Sequence, residues 1–323
     1  MIAREGRSRP GARTGRLLER ERELETLAAA ITAAADGTAG LVLVEGPAGI
    51  GKSRLLVEAR MLAEEREMGV RSARGGELEL DFPFGIVRQL FESQLVDENE
   101  RSRLLSGAAS AAAPVFGHDG ARGTGEPSGE GTFAVLHGLY WLTINLCSER
   151  ALMLAVDDLH WCDRASLRFL AYLARRLEDL PIVLVASLRS SEPQADSAIL
   201  QELTSEPHAQ VLVPGPLTAA AVEEVVRDRL GAGVEPAFAG ACYSSTGGNP
   251  LLLNELLKAL DSDRVPPDVC PCRRRRRTRA EGGFESGTAA ASTAVSGRRA
   301  GRAGDLRARR RRGVARGRGA RRA

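Results

Sequence analysis

The stretch that most constrains the fold of this chain is residues 41–53, which read LVLVEGPAGIGKS. Its first four residues form an apolar run rich in β-branched side chains, which is typical of a fully buried strand. Residues 46–53 fit the pattern GxxxxGK followed by Ser or Thr, and residues 54–62 then carry apolar side chains at helical spacing. A strand, a glycine-rich turn and a helix in this order predict a loop that binds phosphate.

Each residue type in this loop has a physical reason. Glycines at positions 46, 49 and 51 accept backbone conformations that a Cβ would penalise, so successive N–H groups can point inward at phosphate oxygens. The following helix adds the positive end of its dipole. Lys52 is expected to reach the β- and γ-phosphates, and the Ser53 hydroxyl to complete the shell of a Mg²⁺ ion. We predict nucleotide contacts along the whole loop, from Gly46, Pro47, Ala48, Gly49, Ile50, Gly51, Lys52, Ser53 and Arg54.

Further apolar runs alternate with helical patterns along the chain. An amphipathic helix is predicted for residues 19–35, ahead of the first strand. The predicted strands after the loop are residues 69–75, 151–158, 181–187 and 211–213. This alternation predicts an α/β fold with a five-stranded, mainly parallel sheet covered by helices on both faces. From Thr218 onward the pattern is purely helical, which predicts a small helical subdomain after the sheet.

Two carboxylates, Asp157 and Asp158, end one of the predicted buried strands, and Arg189 follows the next. Ligands of parallel sheets bind at the carboxyl ends of the strands, so these residues are expected near Gly46. One carboxylate can hold Mg²⁺ through water while its neighbour orients or deprotonates an attacking water. We assign Asp157 to the metal and Asp158 to the attacking water. Lys52 is expected to take part in catalysis through its contact with the phosphates, and Arg189 to act as a γ-phosphate sensor. The plainer alternative is two acids that cap a solvent-facing strand end and a surface arginine.

Charge is distributed unevenly along the chain. The formal net charge is +3, but residues 273–323 contain 18 arginines and 3 acidic residues, which leaves 27 basic and 39 acidic residues before them. This C-terminal stretch has too few large aliphatic side chains to bury a core, so residues 263–323 are predicted to be a disordered Arg-rich tail. Such a tail can bind nucleic acid phosphates without sequence preference. The interpretation that we favour is a frameshifted or truncated reading of a high-GC gene.

Composition excludes several other classes of protein. No apolar run approaches the ~18 residues that span a bilayer, so no membrane contact is expected. The basic N-terminus lacks an apolar signal region, and the five cysteines are scattered and odd in number. Reduced thiols and a cytoplasmic location are therefore expected. The four histidines show no spacing typical of a metal site.

Five segments together resemble the ATPase module of large LuxR-type transcriptional regulators. Those modules belong to the STAND branch of the AAA-like P-loop ATPases. The resemblance runs from about residue 17 to 262 and is most specific in the DDLHW run with GGNP downstream. The segments are LLERERELETL (residues 17–27), GPAGIGKSRLL (46–56), LAVDDLHWCDRASLRFLAYLARRL (154–177), ASLRSSEP (186–193) and TGGNPLLLNELL (246–257).

The resemblance implies that ATP with Mg²⁺ binds between a five-stranded nucleotide sheet and a small helical lid. It places Arg20 and Glu21 in a segment near the base, and makes Pro250 a contact from the lid to the nucleotide. The chain departs from the family at Glu19, where the family has Gly before Arg-Glu. Such modules act as switches that hydrolyse ATP slowly and can self-associate. Full regulators continue into a helical sensor region and a C-terminal helix-turn-helix that binds DNA, neither of which is expected in this chain.

The expected domain organisation has four parts. Residues 1–16 form a disordered leader, and residues 17–214 form the P-loop NTPase domain, with a low-complexity insertion at residues 107–131 that is expected to be a mobile surface loop. Residues 215–262 form the lid, and the tail follows.

Three functions remain open at this point. The first is an ATP-binding, slowly hydrolysing regulatory module of a LuxR-type regulator, which would make the chain at most a weak nucleoside-triphosphate phosphohydrolase. The second is a self-standing ATPase that acts on protein or nucleic acid. The third is a nonspecific nucleic-acid binder that uses the Arg-rich tail, in which case the ATPase fold is incidental.

Overall fold

The structure, a computed structural model, describes four ranges of the chain: residues 17–117, 130–189, 197–231 and 233–262. The predicted leader at residues 1–16, the predicted tail at residues 263–323 and residues 118–129 of the predicted insertion lie outside these ranges.

Five parallel strands form one sheet in the order β2-β3-β4-β1-β5. The predicted fold class is confirmed, because each strand lies at or within about two residues of its apolar run. The outer strands β2 and β5 are partly exposed, whereas β1, β3 and β4 are almost entirely buried. The strands are β1 (Gly40–Glu45), β2 (Gly69–Arg74), β3 (Leu152–Asp157), β4 (Ile182–Leu188) and β5 (Ala209–Leu212).

Helices cover both faces of this sheet because successive side chains of a strand point to opposite faces. On β1, Leu41 and Leu43 join one core cluster with α3 to α6, while Val42 and Val44 join the other with α1 and α2. The helices before β5 are α1 (Glu21–Ala35), α2 (Lys52–Glu64), α3 (Gly85–Phe91), α4 (Glu98–Leu104), α5 (Glu130–Cys147), α6 (Arg164–Ala174) and α7 (Ser197–Thr204).

Part of the predicted low-complexity insertion is ordered, which corrects the expectation of a mobile surface loop over its whole length. Gly107–Phe116 forms a 3-10 helix that packs on α5, with Ala109 and Ala112 fully buried. A Cβ at Gly138 of α5 would lie 2.5 Å from the Ala112 nitrogen. Small residues on both sides thus let the two backbones approach closely, and the alanine-rich composition reflects packing rather than disorder.

Three helices follow the sheet, as the helical pattern after Thr218 predicts. They are α8 (Ala219–Leu230), α9 (Pro236–Thr246) and α10 (Pro250–Ser262). Their buried side chains, which include Val222, Phe238 and Leu253, form a core cluster of their own. The Thr218 hydroxyl accepts a hydrogen bond from the Ala221 N–H and so caps α8. Among the helices in the described ranges, none is long and apolar enough to cross a membrane.

Candidate functional site

The loop between β1 and α2 has the left-handed turns that its glycines permit. Gly49 and Gly51 have φ values of +80° and +107°, a region that costs a residue with a Cβ about 1–2 kcal/mol. Gly46 does not have a positive φ; at this position a Cβ would lie 3.1 Å from Ile50 Cγ2. Gly49 and Gly51 are therefore required by the backbone conformation, whereas a Cβ at position 46 would require the Ile50 side chain to shift.

Lys52 is the first residue of α2 and is only 6% exposed. Its Nζ donates hydrogen bonds to the Gly46 carbonyl oxygen at 2.7 Å and to the Pro47 carbonyl oxygen at 2.9 Å. The ammonium group is thus held across the start of the loop, and a buried cation at this point favours a bound anion. Ser53 follows as the second residue of the helix and is exposed.

The carboxylate of Asp157 lies at the end of β3 and is fixed by β4. Ser187 Oγ, which is fully buried, donates to Asp157 Oδ1 at 2.6 Å. The Asp158 N–H donates to the same oxygen at 3.1 Å and to Ser187 Oγ at 2.9 Å. The other oxygen, Oδ2, forms an ion pair with Arg74, whose Nε lies 3.9 Å away. Sequence reasoning missed Ser187, although a lone hydroxyl near the end of the buried IVLVASL run was a usable signal.

Asp158 is paired with a cation from the neighbouring strand. Arg74 is the last residue of β2, in register with Asp157, and its Nη2 and Nε donate to Asp158 Oδ2 at 3.0 and 3.2 Å. Asp158 itself has φ +54°, so the backbone turns sharply after β3. No local pattern in the sequence indicates Arg74, because its contact with Asp158 depends on the order of the strands.

Arg189 directly follows β4 and is half-buried. The carbonyl of the preceding residue, Leu188, accepts a hydrogen bond from the Gly46 N–H at 3.2 Å. Arg189 therefore directly follows a residue that contacts the loop. Its role as a γ-phosphate sensor stays a prediction. The residues after it, 190–196, lie outside the described ranges.

Arg20 connects three segments of the chain. It is 4% exposed, and its Nη2 donates to the carbonyl oxygens of Gly215 at 2.6 Å and Ile50 at 3.4 Å, while Nη1 donates to the Glu19 carbonyl at 2.7 Å. These bonds tie the loop to the segment that enters α8. The guanidinium therefore serves first to hold main-chain groups in place.

A cavity of about 210 Å³ lies where the N-terminal segment, the loop and the lid helices meet. Its walls are mostly apolar, and its polar groups include the Arg20 side chain. Pro250, the first residue of α10, lies in the wall, and its contact with a nucleotide stays a prediction. The lining residues are Leu17, Leu18, Arg20, Ile50, Gly51, Arg54, Leu217, Val225, Arg229, Pro250, Leu253, Asn254 and Leu257.

The lid helices also contact the loop directly. Asn249 Nδ2 donates to the Ala48 carbonyl at 3.0 Å, and the Leu251 N–H donates to the Gly49 carbonyl at 3.1 Å. The Leu217 N–H donates to the Gly248 carbonyl at 2.9 Å, which joins the segment before α8 to the turn between α9 and α10.

Glu19 helps to fix the entry of the lid. Thr218 donates hydrogen bonds to the Glu19 carboxylate from its hydroxyl and from its backbone N–H. These bonds, first the side-chain bond and then the backbone bond, lower the pKa of Glu19 below its ordinary value.

The residues present suit a magnesium ion. Mg²⁺ prefers oxygen ligands and is usually held by one or two protein oxygens together with water and substrate phosphates. Asp157 offers a carboxylate whose orientation is fixed by Ser187. Ser53 offers a hydroxyl at the exposed start of α2.

A phosphate loop after β1, an acid pair after β3 and a polar side chain at the end of β4 define the class of P-loop nucleotide-binding domains. Residues 16–185, just over half of the chain, match the AAA ATPase domain family. The chain belongs to this family.

The chain is distantly similar to several proteins of known sequence or structure. An uncharacterised protein of Rhizobium meliloti (strain 1021) is 28% identical over 211 residues, which is 56% of this chain and 19% of the relative. A solved Signal Transduction ATPase with Numerous Domains (STAND) protein with a tetratricopeptide repeat sensor, from Pyrococcus horikoshii, is 18% identical with a TM-score of 0.46, over 75% of this chain and 30% of that chain. The ORC1 protein of Aeropyrum pernix, solved with DNA, is 17% identical with a TM-score of 0.44, over 76% and 61%. This chain thus matches only about a fifth of the length of the Rhizobium meliloti protein.

Proposed function

We propose that residues 17–262 are an ATP-binding regulatory switch module, which hydrolyses ATP slowly, and that ATP with Mg²⁺ binds between the phosphate loop and the lid. The observation that carries this proposal is the cavity of about 210 Å³, because its lining comes from the N-terminal segment, the loop and the lid together. A ligand in this position contacts all three segments at once and can change how they fit.

In this proposal the base lies in the cavity and the phosphates lie on the loop. Lys52 moves its hydrogen bonds from the Gly46 and Pro47 carbonyls to the β- and γ-phosphates. Ser53 and Asp157 hold Mg²⁺, which neutralises charge on the phosphate oxygens. Asp158 orients the attacking water, and Arg189 contacts the γ-phosphate.

Slow hydrolysis is expected because Arg74 holds one of the two carboxylate oxygens of Asp158. Arg74 occupies its Oδ2 with two hydrogen bonds, at 3.0 and 3.2 Å. A general base needs an oxygen within hydrogen-bond reach of the water it activates. A switch that holds ATP for a long time and resets slowly suits regulation better than turnover of a metabolite.

The switching itself requires that ATP and ADP make different contacts with the two sides of the site. A ligand shifts a conformational equilibrium only by its difference in affinity for the two states. Here the γ-phosphate is the only difference between the two nucleotides, so the groups around Asp158 and Arg189 are expected to transmit it.

The regulatory context rests on the resemblance of five segments to LuxR-type transcriptional regulators. We propose that the module acts within a longer regulator whose sensor region and helix-turn-helix supply signal and DNA binding, with self-association as part of its action. The frameshift interpretation is tested by translating the other reading frames downstream of the codon for Asp263. A frame that restores helical repeats and a helix-turn-helix supports it, and its absence from every frame contradicts it.

One set of assays tests the function. The proposal predicts ATP binding that Lys52→Ala abolishes, with slow or undetectable hydrolysis. Fast hydrolysis stimulated by nucleic acid would instead support a self-standing ATPase. DNA affinity that survives Lys52→Ala but is lost on deletion of residues 265–323, with a steep dependence on salt, would support a nucleic-acid binder.

A further inference from the structure

The lid meets the phosphate loop at two of the loop's carbonyl oxygens. The Ala48 carbonyl accepts from Asn249 Nδ2 at 3.0 Å, and the Gly49 carbonyl accepts from the Leu251 N–H at 3.1 Å. Asn249 Oδ1 in turn accepts from the N–H groups of Leu251 at 3.0 Å and Leu252 at 3.3 Å. The side chain of Asn249 therefore caps α10 with its oxygen and grips the loop with its nitrogen.

The carbonyls that the lid holds determine where the neighbouring amides point. A trans peptide is planar, so its N–H points away from its C=O, and the described chain contains no cis peptide. The Ala48 carbonyl shares a peptide with the Gly49 N–H, and the Gly49 carbonyl shares one with the Ile50 N–H. Because both carbonyls accept hydrogen bonds from the lid, both N–H groups point away from the lid. In a loop that binds phosphate, the N–H groups that point inward contact the phosphate oxygens.

The fit between lid and loop is close enough to require glycine. A Cβ on Gly49 would lie 2.7 Å from Asn249 Oδ1 and 2.7 Å from Leu251 Cβ. Glycine peptides turn easily, and in the described part of the chain the hydrogen bonds from the lid hold these two peptide planes. The lid thus fixes the orientation of the peptides in this part of the loop, as the start of α2 fixes the orientation of those after Gly51.

We propose that Asn249 is a positioning residue that couples docking of the lid to phosphate binding, although it does not itself contact the nucleotide. The inference rests on the proposed function. With the lid docked, the amides of Gly49 and Ile50 are oriented for phosphate oxygens. When a signal moves the start of α10 away, these peptides can turn and the phosphates are bound less tightly. The walls of the base pocket that come from the N-terminal segment and the loop stay in place.

Asn249→Asp removes the hydrogen bond to the loop and keeps the helix cap. Aspartate caps a helix as well as asparagine does, but it has no donor for the Ala48 carbonyl. Lys258→Ala is the matched control, because it lies on the exposed side of α10, contacts Glu255 and changes the net charge by the same amount. Both variants are prepared in the full chain, and affinities for ATP, ADP and adenosine are measured by calorimetry and by ligand-observed NMR.

Asn249→Asp is expected to weaken ATP and ADP binding about five- to ten-fold, as the loss of one hydrogen bond to a positioning group implies. Adenosine affinity is expected to change less than two-fold, and Lys258→Ala to behave like the unaltered chain. Hydrogen exchange of the ADP complex gives a second readout: the peptide that covers residues 46–52 should exchange faster in Asn249→Asp, while α10 keeps its rate.

Two results would overturn the inference. Unchanged ATP affinity together with unchanged hydrogen exchange in the loop would show that the hydrogen bond from Asn249 to Ala48 does not orient the amides. An equal loss of adenosine affinity, or faster exchange in α10, would show a general loosening of the lid. If the unaltered chain binds no nucleotide, the proposed function fails, and the inference fails with it.

Discussion

Lys52 is one of only two lysines in a chain with 45 basic residues, the other being Lys258. Its ammonium group donates hydrogen bonds to the carbonyl oxygens of Gly46 and Pro47. An ammonium is a compact charge that exchanges such partners easily, whereas a guanidinium is planar and needs a fork-shaped partner. This difference gives a physical reason for lysine at a position where the chain otherwise uses arginine.

Arg74 is predicted to act as a brake on hydrolysis. Arg74→Ala removes both donors from Asp158 Oδ2, which then becomes available to a water, so the rate of hydrolysis at saturating ATP should rise by about three- to ten-fold. Arg66→Ala, an exposed arginine at the end of α2, is the charge-matched control and should leave the rate unchanged. The double variant Arg74→Ala with Asp158→Asn should be inactive. A rate that stays the same or falls in Arg74→Ala contradicts this role.

Glu19 occupies the position at which the resemblance implies glycine, and its conformation gives a physical reason for glycine there. It has φ +56°, in the left-handed region, and its carboxylate bonds to Thr218. Because these bonds lower the pKa of Glu19, their contribution to stability is complete above the ordinary value of 4.5 and is lost as the pH falls through the lowered pKa. Urea unfolding should show Glu19→Gln less stable than the unaltered chain by less than about 1 kcal/mol at pH 7. A difference that does not shrink below pH 4.5 would contradict the assignment.

At the scale of single residues, the sequence predicts the loop well and its surroundings less well. The loop is a local pattern in which spacing alone specifies strand, turn and helix. Ser187 and Arg74 reach the acid pair only because β4 and β2 both flank β3 in the sheet. Asn249 reaches Ala48 across about two hundred residues of sequence. Contacts of this kind depend on strand order and lid position, which hydrophobic periodicity does not encode.

At the scale of elements, length and burial decide what the pattern reveals. The buried strands β1, β3 and β4 have continuous apolar runs and are predicted to within two residues. Residues 107–116 are misinterpreted because alanine and glycine are common both in loops and in close packing. Their burial depends on Gly138, about thirty residues away, which no local pattern identifies.

The turn between α9 and α10 offers a matched test of how the lid is held. Gly247 and Gly248 have φ values of +58° and +74°, but a Cβ has open space at Gly247 and would overlap the Leu217 carbonyl at Gly248. Gly247→Ala should cost about 1 kcal/mol from backbone strain alone. Gly248→Ala should cost at least about 2 kcal/mol, because the carbonyl must also move and the Leu217–Gly248 hydrogen bond is disturbed. Equal losses in urea unfolding would contradict this account of the turn.

At the scale of the whole molecule, the described chain is organised around contacts that converge on the loop. Arg20 joins it to the segment before α8, Leu188 joins it to β4, and α10 rests on it. A ligand that binds here is therefore expected to stabilise several elements together. Saturation at a hundred times the dissociation constant should add about 2.7 kcal/mol to the free energy of unfolding.

The most direct test of the central claim is the affinity of the chain for ATP with and without Mg²⁺, measured by calorimetry on the unaltered chain and on Lys52→Ala. The account predicts binding of ATP that Mg²⁺ strengthens, because Ser53 and Asp157 offer oxygen ligands beside the phosphates. It predicts no detectable binding for Lys52→Ala, with the variant still folded. Absence of ATP binding to the unaltered chain, or the same affinity in Lys52→Ala, would contradict it.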